Sequence, residues 1–207
     1  MEREQIRVVG ISGSLRPGSF TKKAVMLALK GAQEQGAEIE YFDLATCRVA
    51  CDGNTDDDGY PESVNHLRQT VKNAHGLIVG TPEYHGSFSG VLKNALDLMG
   101  FDEVQGKMIG LVSVAGGAMG GIGALASLRT IGRHLHAWVV PHQVAIPFAS
   151  QAFDQNGELK DTKLRERVLE VGRQVSQFSY LHHSAAAQKF LKAWQEATPN
   201  PGGEHAF

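Results

Sequence analysis

Ser12, Ser14, Arg16 and Ser19 crowd into the stretch GISGSLRPGSF (10–20), directly after an apolar run and directly before a helical pattern. Three hydroxyls and one guanidinium among glycines suit a phosphate group. Glycines let the backbone approach, a loop entering a helix offers free N–H groups at the positive end of the helix dipole, and arginine matches phosphate oxygens in the plane. Charge-assisted hydrogen bonds contribute roughly 1.5–3 kcal/mol each, so four or five of them hold a dianion at micromolar affinity or better. Gly13 and Gly18 have the four-residue separation of a nucleotide P-loop, but Ser19 stands where that loop requires lysine. A P-loop kinase is thereby disfavoured.

Two further loops carry unusual residues. TPEYHGSFSG (81–90) sets Pro82, Glu83, Tyr84 and His85 before Gly86 and Ser87, an aromatic ring beside free amides that fits a flat, hydrogen-bonding heterocycle. SVAGGAMGGIG (113–123) is dense in glycine, with Gly116 and Gly117 leading. Its spacing and late position do not match the dinucleotide fingerprint, and it reads as bare backbone on which a planar ring can lie. One phosphate grip, one set of amides and one bare surface together describe a nucleotide with a single phosphate and a flat ring, flavin mononucleotide (FMN).

These loops need a scaffold, and the pattern supplies one. Buried or alternating strands are expected at 6–12, 38–44, 77–82, 107–115 and 138–147. Pro141 marks the last as an edge strand or a bulge. Helices are expected at 20–35, 61–75, 87–100, 124–137 and 162–181, with loops at 45–60 and a polar turn at 154–161. Phe20, Ala24, Leu27 and Gly31 are expected to share the buried face of the first helix. Strand–helix alternation repeated five times predicts an α/β fold, a doubly wound parallel sheet with helices on both faces. Ligands of such sheets lie at the carboxyl ends of the strands, where all three loops fall. Residues 1–183 are expected to form this domain. Residues 184–207 form an extension, first helical around Phe190, Leu191 and Trp194 and then mobile.

The 207 residues are 42% hydrophobic and 20% charged with a net charge of −2, an ordinary balance for a globular protein. It argues against nucleic acid or an anionic membrane surface as the partner. No run reaches the roughly 20 apolar residues of a membrane span, and the first residues do not resemble a signal peptide. A cytoplasmic location is expected. Cys47 and Cys51 lack companion histidines at ligand spacing and are expected to be ordinary thiols. The acidic run 56–58 is expected to be solvated surface.

The three motifs, in this order and spacing, resemble the NADPH-dependent FMN reductases of flavodoxin-like fold, a family that includes quinone, azo-dye and chromate reductases. The resemblance covers roughly residues 5–180. It implies a five-stranded sheet of order 2-1-3-4-5 and a homodimer or homotetramer. It also implies FMN held by Ser12, Ser14, Arg16, Ser19, Phe20 and Thr21 at the phosphate, by the second loop along the ring edge, and by Ser113, Gly116 and Gly117 beyond it. Where the family commonly carries asparagine, this chain has Thr21 and His85. The implied activity passes two electrons from NADPH or NADH through FMN to a small acceptor by a ping-pong mechanism, with no side-chain nucleophile, metal or essential acid–base residue. A flavodoxin-type electron carrier is the rival reading; such carriers are typically strongly acidic, whereas −2 is mild. Arg129 and Arg133 are candidates for reading a 2′-phosphate. Val91, Leu92, Leu96, Met99, Leu125 and Leu128 are candidates for an oligomer interface as well as the core.

Overall fold

The computed structural model describes residues 4–53 and 59–197; the acidic run 56–58 and the tail from 198 lie outside them. Five parallel strands, β1 (Arg7–Ser12), β2 (Glu38–Phe42), β3 (Gly76–Tyr84), β4 (Met108–Val114) and β5 (Trp138–Ile146), form a sheet in the order β2-β1-β3-β4-β5. Two further residues, Ser87–Phe88, pair antiparallel with the end of β3. The expected doubly wound, flavodoxin-like sheet is therefore present. Pro141 lies on an edge strand and at the point where the register of β5 against β4 slips, so it interrupts no interior ladder.

Helices cover both faces, as the alternation in each strand requires. Val8, Ile78, Val112 and Val144 point to the side of α1 (Phe20–Glu34) and α7 (Thr162–His183). Val9, Leu77, Val79 and Leu111 point to the side of α2 (Glu62–Lys72), α3 (Gly90–Asp97) and α5 (Ile122–His134). Two short helices, α4 (Phe101–Val104) and α6 (Ala149–Ala152), and a last one, α8 (Ala185–Glu196), complete the chain. No helix of the described residues is long and apolar enough to cross a membrane.

Helix α1 matters most for the site. Ser19 caps its start, accepting from the Lys22 amide at 3.3 Å. Its end closes in a Schellman arrangement, Gly36 N–H to Gln33 O at 2.8 Å and Ala37 N–H to Ala32 O at 3.2 Å. Its buried face is Thr21, Ala24, Val25, Ala28, Leu29, Gly31 and Ala32. Phe20 and Leu27, expected on that face, are only half-buried at its margin. The residues expected to serve the core, and an oligomer interface besides, are in the core. Leu92, Leu96, Met99, Leu125 and Leu128 are all buried in this chain's own core, and Val91 packs half-buried against it.

At the amino end of the sheet, the Lys107 ammonium is buried and donates to Lys72 O at 2.9 Å and to Ala74 O, finishing the turn after α2. Burial pushes its pKa down to about 8. His75 accepts from the Arg7 amide through Nδ1 at 3.0 Å and meets His183 edge-on, ring centroids 5.2 Å apart. Burial first, then the neighbouring charges, holds both imidazoles below their ordinary value. The unfolded chain therefore takes up protons before the folded one as pH falls below about 6.5, and stability drops there. We expect the calorimetric melting temperature to fall between pH 7 and pH 5, and to fall less in His75→Asn, whose carbonyl still accepts the Arg7 amide. An unchanged slope in that variant would remove His75 from the account.

Candidate flavin site

The first loop leaves β1 buried and emerges at the surface. Ser12 and Gly13 are buried, Ser14 and Leu15 half-buried, and Arg16 to Gly18 exposed before Ser19 is buried again as the cap of α1. Two bonds pin its base: Gly13 N–H to Gly80 O at 2.8 Å, and Ser89 Oγ–H to Gly13 O at 2.6 Å. Ser12 Oγ is buried with no hydrogen-bond partner, a cost that a polar group at the loop would remove. Tyr41 lies near it. Burial, with help from Asp43, pushes the Tyr41 pKa up to about 12 while Ser12 pulls slightly the other way, so the phenol stays a neutral donor.

The second loop is shorter than the sequence suggested. Thr81 to Tyr84 belong to β3, where Pro82 is buried and sits opposite Val114 of β4. The chain reverses in two residues, His85 and Gly86, with Tyr84 paired to Ser87. Both turn residues have positive φ, 52° and 79°, the signature of a type I′ hairpin, which favours Asn-Gly because asparagine tolerates the left-handed region. Histidine is also enriched there. Position 85 is thus set by backbone conformation, and its side chain is exposed.

The third loop turns back through Gly120 and Gly121, at φ 64° and 94°. Ser113, expected to face the ring, instead donates its buried hydroxyl to Gly120 O at 2.8 Å and so holds this turn. Glu83 also has a structural task. Its carboxylate accepts the Ala124 amide at 3.0 Å and meets the amino end of α5, which has no side-chain cap of its own. That end of the helix dipole is therefore compensated from within. The first turn of α1, by contrast, contains no acidic residue.

The three loops converge. Ser14, Arg16, Ser19, Phe20, Thr21, Pro82, Glu83, Tyr84 and Gly116 all line one cleft of about 350 Å³, with Ser12 buried at the base of its first loop. His85, Gly86, Ser87, Ser113 and Gly117 are not on that wall. The segment after β5 was not foreseen. Ala149 and Ser150 complete the cleft, held by Ala149 N–H to Ala115 O at 3.0 Å. The carboxyl-end rule for strands covers this loop as much as the others, but its residues carry no charge to draw the eye. Gly116 and Gly117 stand open, with nothing within 4 Å of where a Cβ would point. Arg129 and Arg133, the candidates for reading a 2′-phosphate, do not line this cleft. Arg129 is tied to the β5 bulge, bonding Gln143 Oε1 at 2.6 Å and the carbonyls of Val140 and Pro141 at 2.9 Å each. Arg133 lies in the last turn of α5, the end away from the cleft.

A five-stranded 2-1-3-4-5 sheet with helices on both faces, whose first loop presents hydroxyls and an arginine before a helix with no acid in its first turn, defines a flavodoxin-like α/β protein. A family model described as NADPH-dependent FMN reductase matches residues 6–151, and the chain belongs to that family. It is 35% identical over 172 residues to an NAD(P)H-dependent FMN reductase of Pseudomonas aeruginosa, covering 80% of this chain and 90% of the relative. Against an FMN-dependent NADPH-azoreductase of Staphylococcus aureus it is 33% identical over 166 residues, 76% and 86% of the two chains. Among solved structures, the flavoenzyme NAD(P)H:(acceptor) oxidoreductase FerB of Paracoccus denitrificans superposes with a TM-score of 0.69 at 22% identity. That match covers 86% of this chain and 98% of the other. An archaeal flavodoxin superposes at 0.56 with 12% identity, covering 84% and 99%; these likenesses concern the fold. The chain is an FMN-dependent NAD(P)H oxidoreductase, which decides against the pure electron carrier.

Proposed function

We propose that the cleft at the carboxyl ends of β1, β3 and β4 holds FMN by its phosphate and ring, and that a flat, largely apolar acceptor such as a quinone or azo compound receives the electrons. The observation that carries this reading is the contrast between the amino ends of α1 and α5. The positive end of α5 is met by the Glu83 carboxylate, while that of α1 has only the neutral Ser19 cap and no acid in its first turn, beside Arg16. A dianionic phosphate monoester fits there, with Ser14 and Ser19 as hydroxyl donors. The unpartnered Ser12 hydroxyl below fits the same group.

When bound, FMN supplies two-electron hydride chemistry between the nicotinamide and the acceptor. The chain's own part is placement. Pro82 and Tyr84 wall the cleft, and in this reading backbone amides where the chain turns after Tyr84, next to that wall, stabilise negative charge at the ring edge. Gly116, on the cleft wall with nothing within 4 Å of its Cβ direction, leaves space above the ring. Exposed Met119, Ile122 and Phe148 give the neighbouring loops an apolar surface suited to a flat acceptor. A single open mouth makes nicotinamide and acceptor take turns, which supports ping-pong kinetics. The exposed apolar residues of these loops also favour association into a dimer or tetramer. Free Cys47 and Cys51 fit a reducing, cytoplasmic compartment. Residues 1–183 constitute the catalytic domain in this reading, and the segment from 184 is an appendage.

Arg16→Ala is expected to weaken FMN binding at least tenfold, about 1.4 kcal/mol, as measured by fluorescence titration of the flavin-free protein. The side chain is exposed, so the melting temperature of the flavin-free form should not move. Undiminished affinity would sink the phosphate assignment.

A further inference from the structure

We infer that a second, cationic cleft beside the phosphate loop binds the 2′-phosphoadenosine end of NADPH and makes the enzyme prefer NADPH to NADH. The inference rests on the flavin site proposed above and extends it to the co-substrate. This cleft, about 390 Å³, lies between the outer face of α1, the turn 153–159 and the start of α7. Gly18 and Ser19 line both clefts, so the two meet at the phosphate loop. At that junction the Phe20 ring stacks on Phe153, centroids 4.9 Å apart and planes within 16°.

The lining divides into an apolar part and a charged part. Met26, Leu27, Phe153 and Leu159 supply apolar surface. Lys22, Lys23, Lys30 and Arg165 supply cations, against one acid, Glu158. Lys22 is partly neutralised by Asp43 at 3.2 Å, and Arg165 faces Glu158 at 3.8 Å. Lys23 and Lys30 have no ion pair among the described residues; Lys23 only overhangs the Phe20 ring, 5.4 Å from its centroid. Placing Lys22 and Lys23 in the first turn of α1 sets positive charge at the positive end of a helix dipole, which costs stability. An anion in this cleft offsets that cost.

One phosphate at the loop is accounted for by FMN, and the surplus here calls for another. The ligand must join an apolar flat body to a phosphate and must reach the flavin cleft with its other end. A nicotinamide dinucleotide carrying a 2′-phosphate meets all three conditions, with adenine on the apolar surface and the 2′-phosphate among Lys23, Lys30 and Arg165. NADH offers a hydroxyl where that phosphate would be, and so leaves the lysines unanswered.

Isothermal titration of the FMN-loaded protein with adenosine 2′,5′-bisphosphate and with adenosine 5′-monophosphate tests this without turnover. The bisphosphate is expected to bind at least tenfold more tightly. In the double variant Lys23→Gln/Lys30→Gln that advantage should vanish, and the ratio of kcat/KM for NADPH over NADH should fall at least tenfold. Equal affinities in the native protein, or an advantage retained in the variant, would overturn the inference. So would inorganic phosphate competing as well as the bisphosphate, which would reveal a general anion site. A protein that takes up no FMN defeats the flavin reading instead, and the same titration on the flavin-free chain then still decides the second cleft.

Discussion

Gly172→Ala is expected to destabilise the protein by about 2–3 kcal/mol, although alanine is the better helix former by roughly 1 kcal/mol in an exposed helix. The reversal of sign comes from the contact between α1 and α7. A Cβ on Gly172 would overlap the Ala28 carbonyl oxygen and stand 2.7 Å from the Ala32 amide nitrogen, and a Cβ on Gly31 would overlap the Leu169 carbonyl in return. These neighbours are backbone and cannot rotate away, so the helices must separate. At 2–4 °C per kcal/mol for a chain of this size, the melting temperature should fall by roughly 4–12 °C. Because α1 carries the phosphate loop at its amino end, FMN affinity should weaken as well. Gly90→Ala is the control: nothing lies within 4 Å of its Cβ direction at the start of α3, and it should melt no lower than the native chain. A Gly172→Ala protein as stable as native would mean that α7 can shift at little cost.

The close packing of α1 on α7 also shows what the sequence did and did not disclose. The sheet was legible because strand residues such as Val8–Val9 and Leu77–Ile78 are apolar on consecutive positions, as burial on both faces demands. The convergence of three loops was legible because chain order fixes which edge of a parallel sheet they share. The face of α1 was read through Phe20, Ala24, Leu27 and Gly31; Ala24 and Gly31 are buried on it, while the two large residues lie at its margin. The actual contact is made by Ala28, Gly31 and Ala32, small residues whose value is close approach and which carry little hydrophobic signal. Two side chains at the site have structural tasks that their type and position do not disclose. Glu83 and Ser113 sit near the carboxyl ends of β3 and β4, and their polar atoms bond to the protein, to the Ala124 amide and the Gly120 carbonyl. Residue type and loop position cannot separate a group turned to a ligand from one holding the loop that faces it. His85 went the other way: it stands where the family resemblance implied asparagine, and the positive φ of its turn is one that both residue types tolerate.

Ser89→Ala is expected to damage stability and flavin binding together, and this separates it from Arg16→Ala. Ser89 is 2% exposed and joins the first two loops. Its hydroxyl donates to Gly13 O at 2.6 Å and accepts the Leu92 amide at 3.2 Å as the cap of α3, while its own amide donates to Thr81 Oγ1 at 3.0 Å. Nothing in the sequence distinguishes it from an ordinary serine cap. Loss of a cap costs about 1 kcal/mol, and depriving a buried carbonyl of its donor costs about 1–3 kcal/mol more, so about 2–4 kcal/mol is expected in all. The melting temperature should drop by roughly 4–16 °C. The phosphate loop, freed at Gly13, should bind FMN at least tenfold more weakly. Ser89→Thr keeps the hydroxyl and should restore most of both losses. If Ser89→Ala lowered the melting temperature with flavin affinity intact, Gly13 would be held well enough by its own amide bond to Gly80 O, and the loop would owe its shape to β1 and β3 alone.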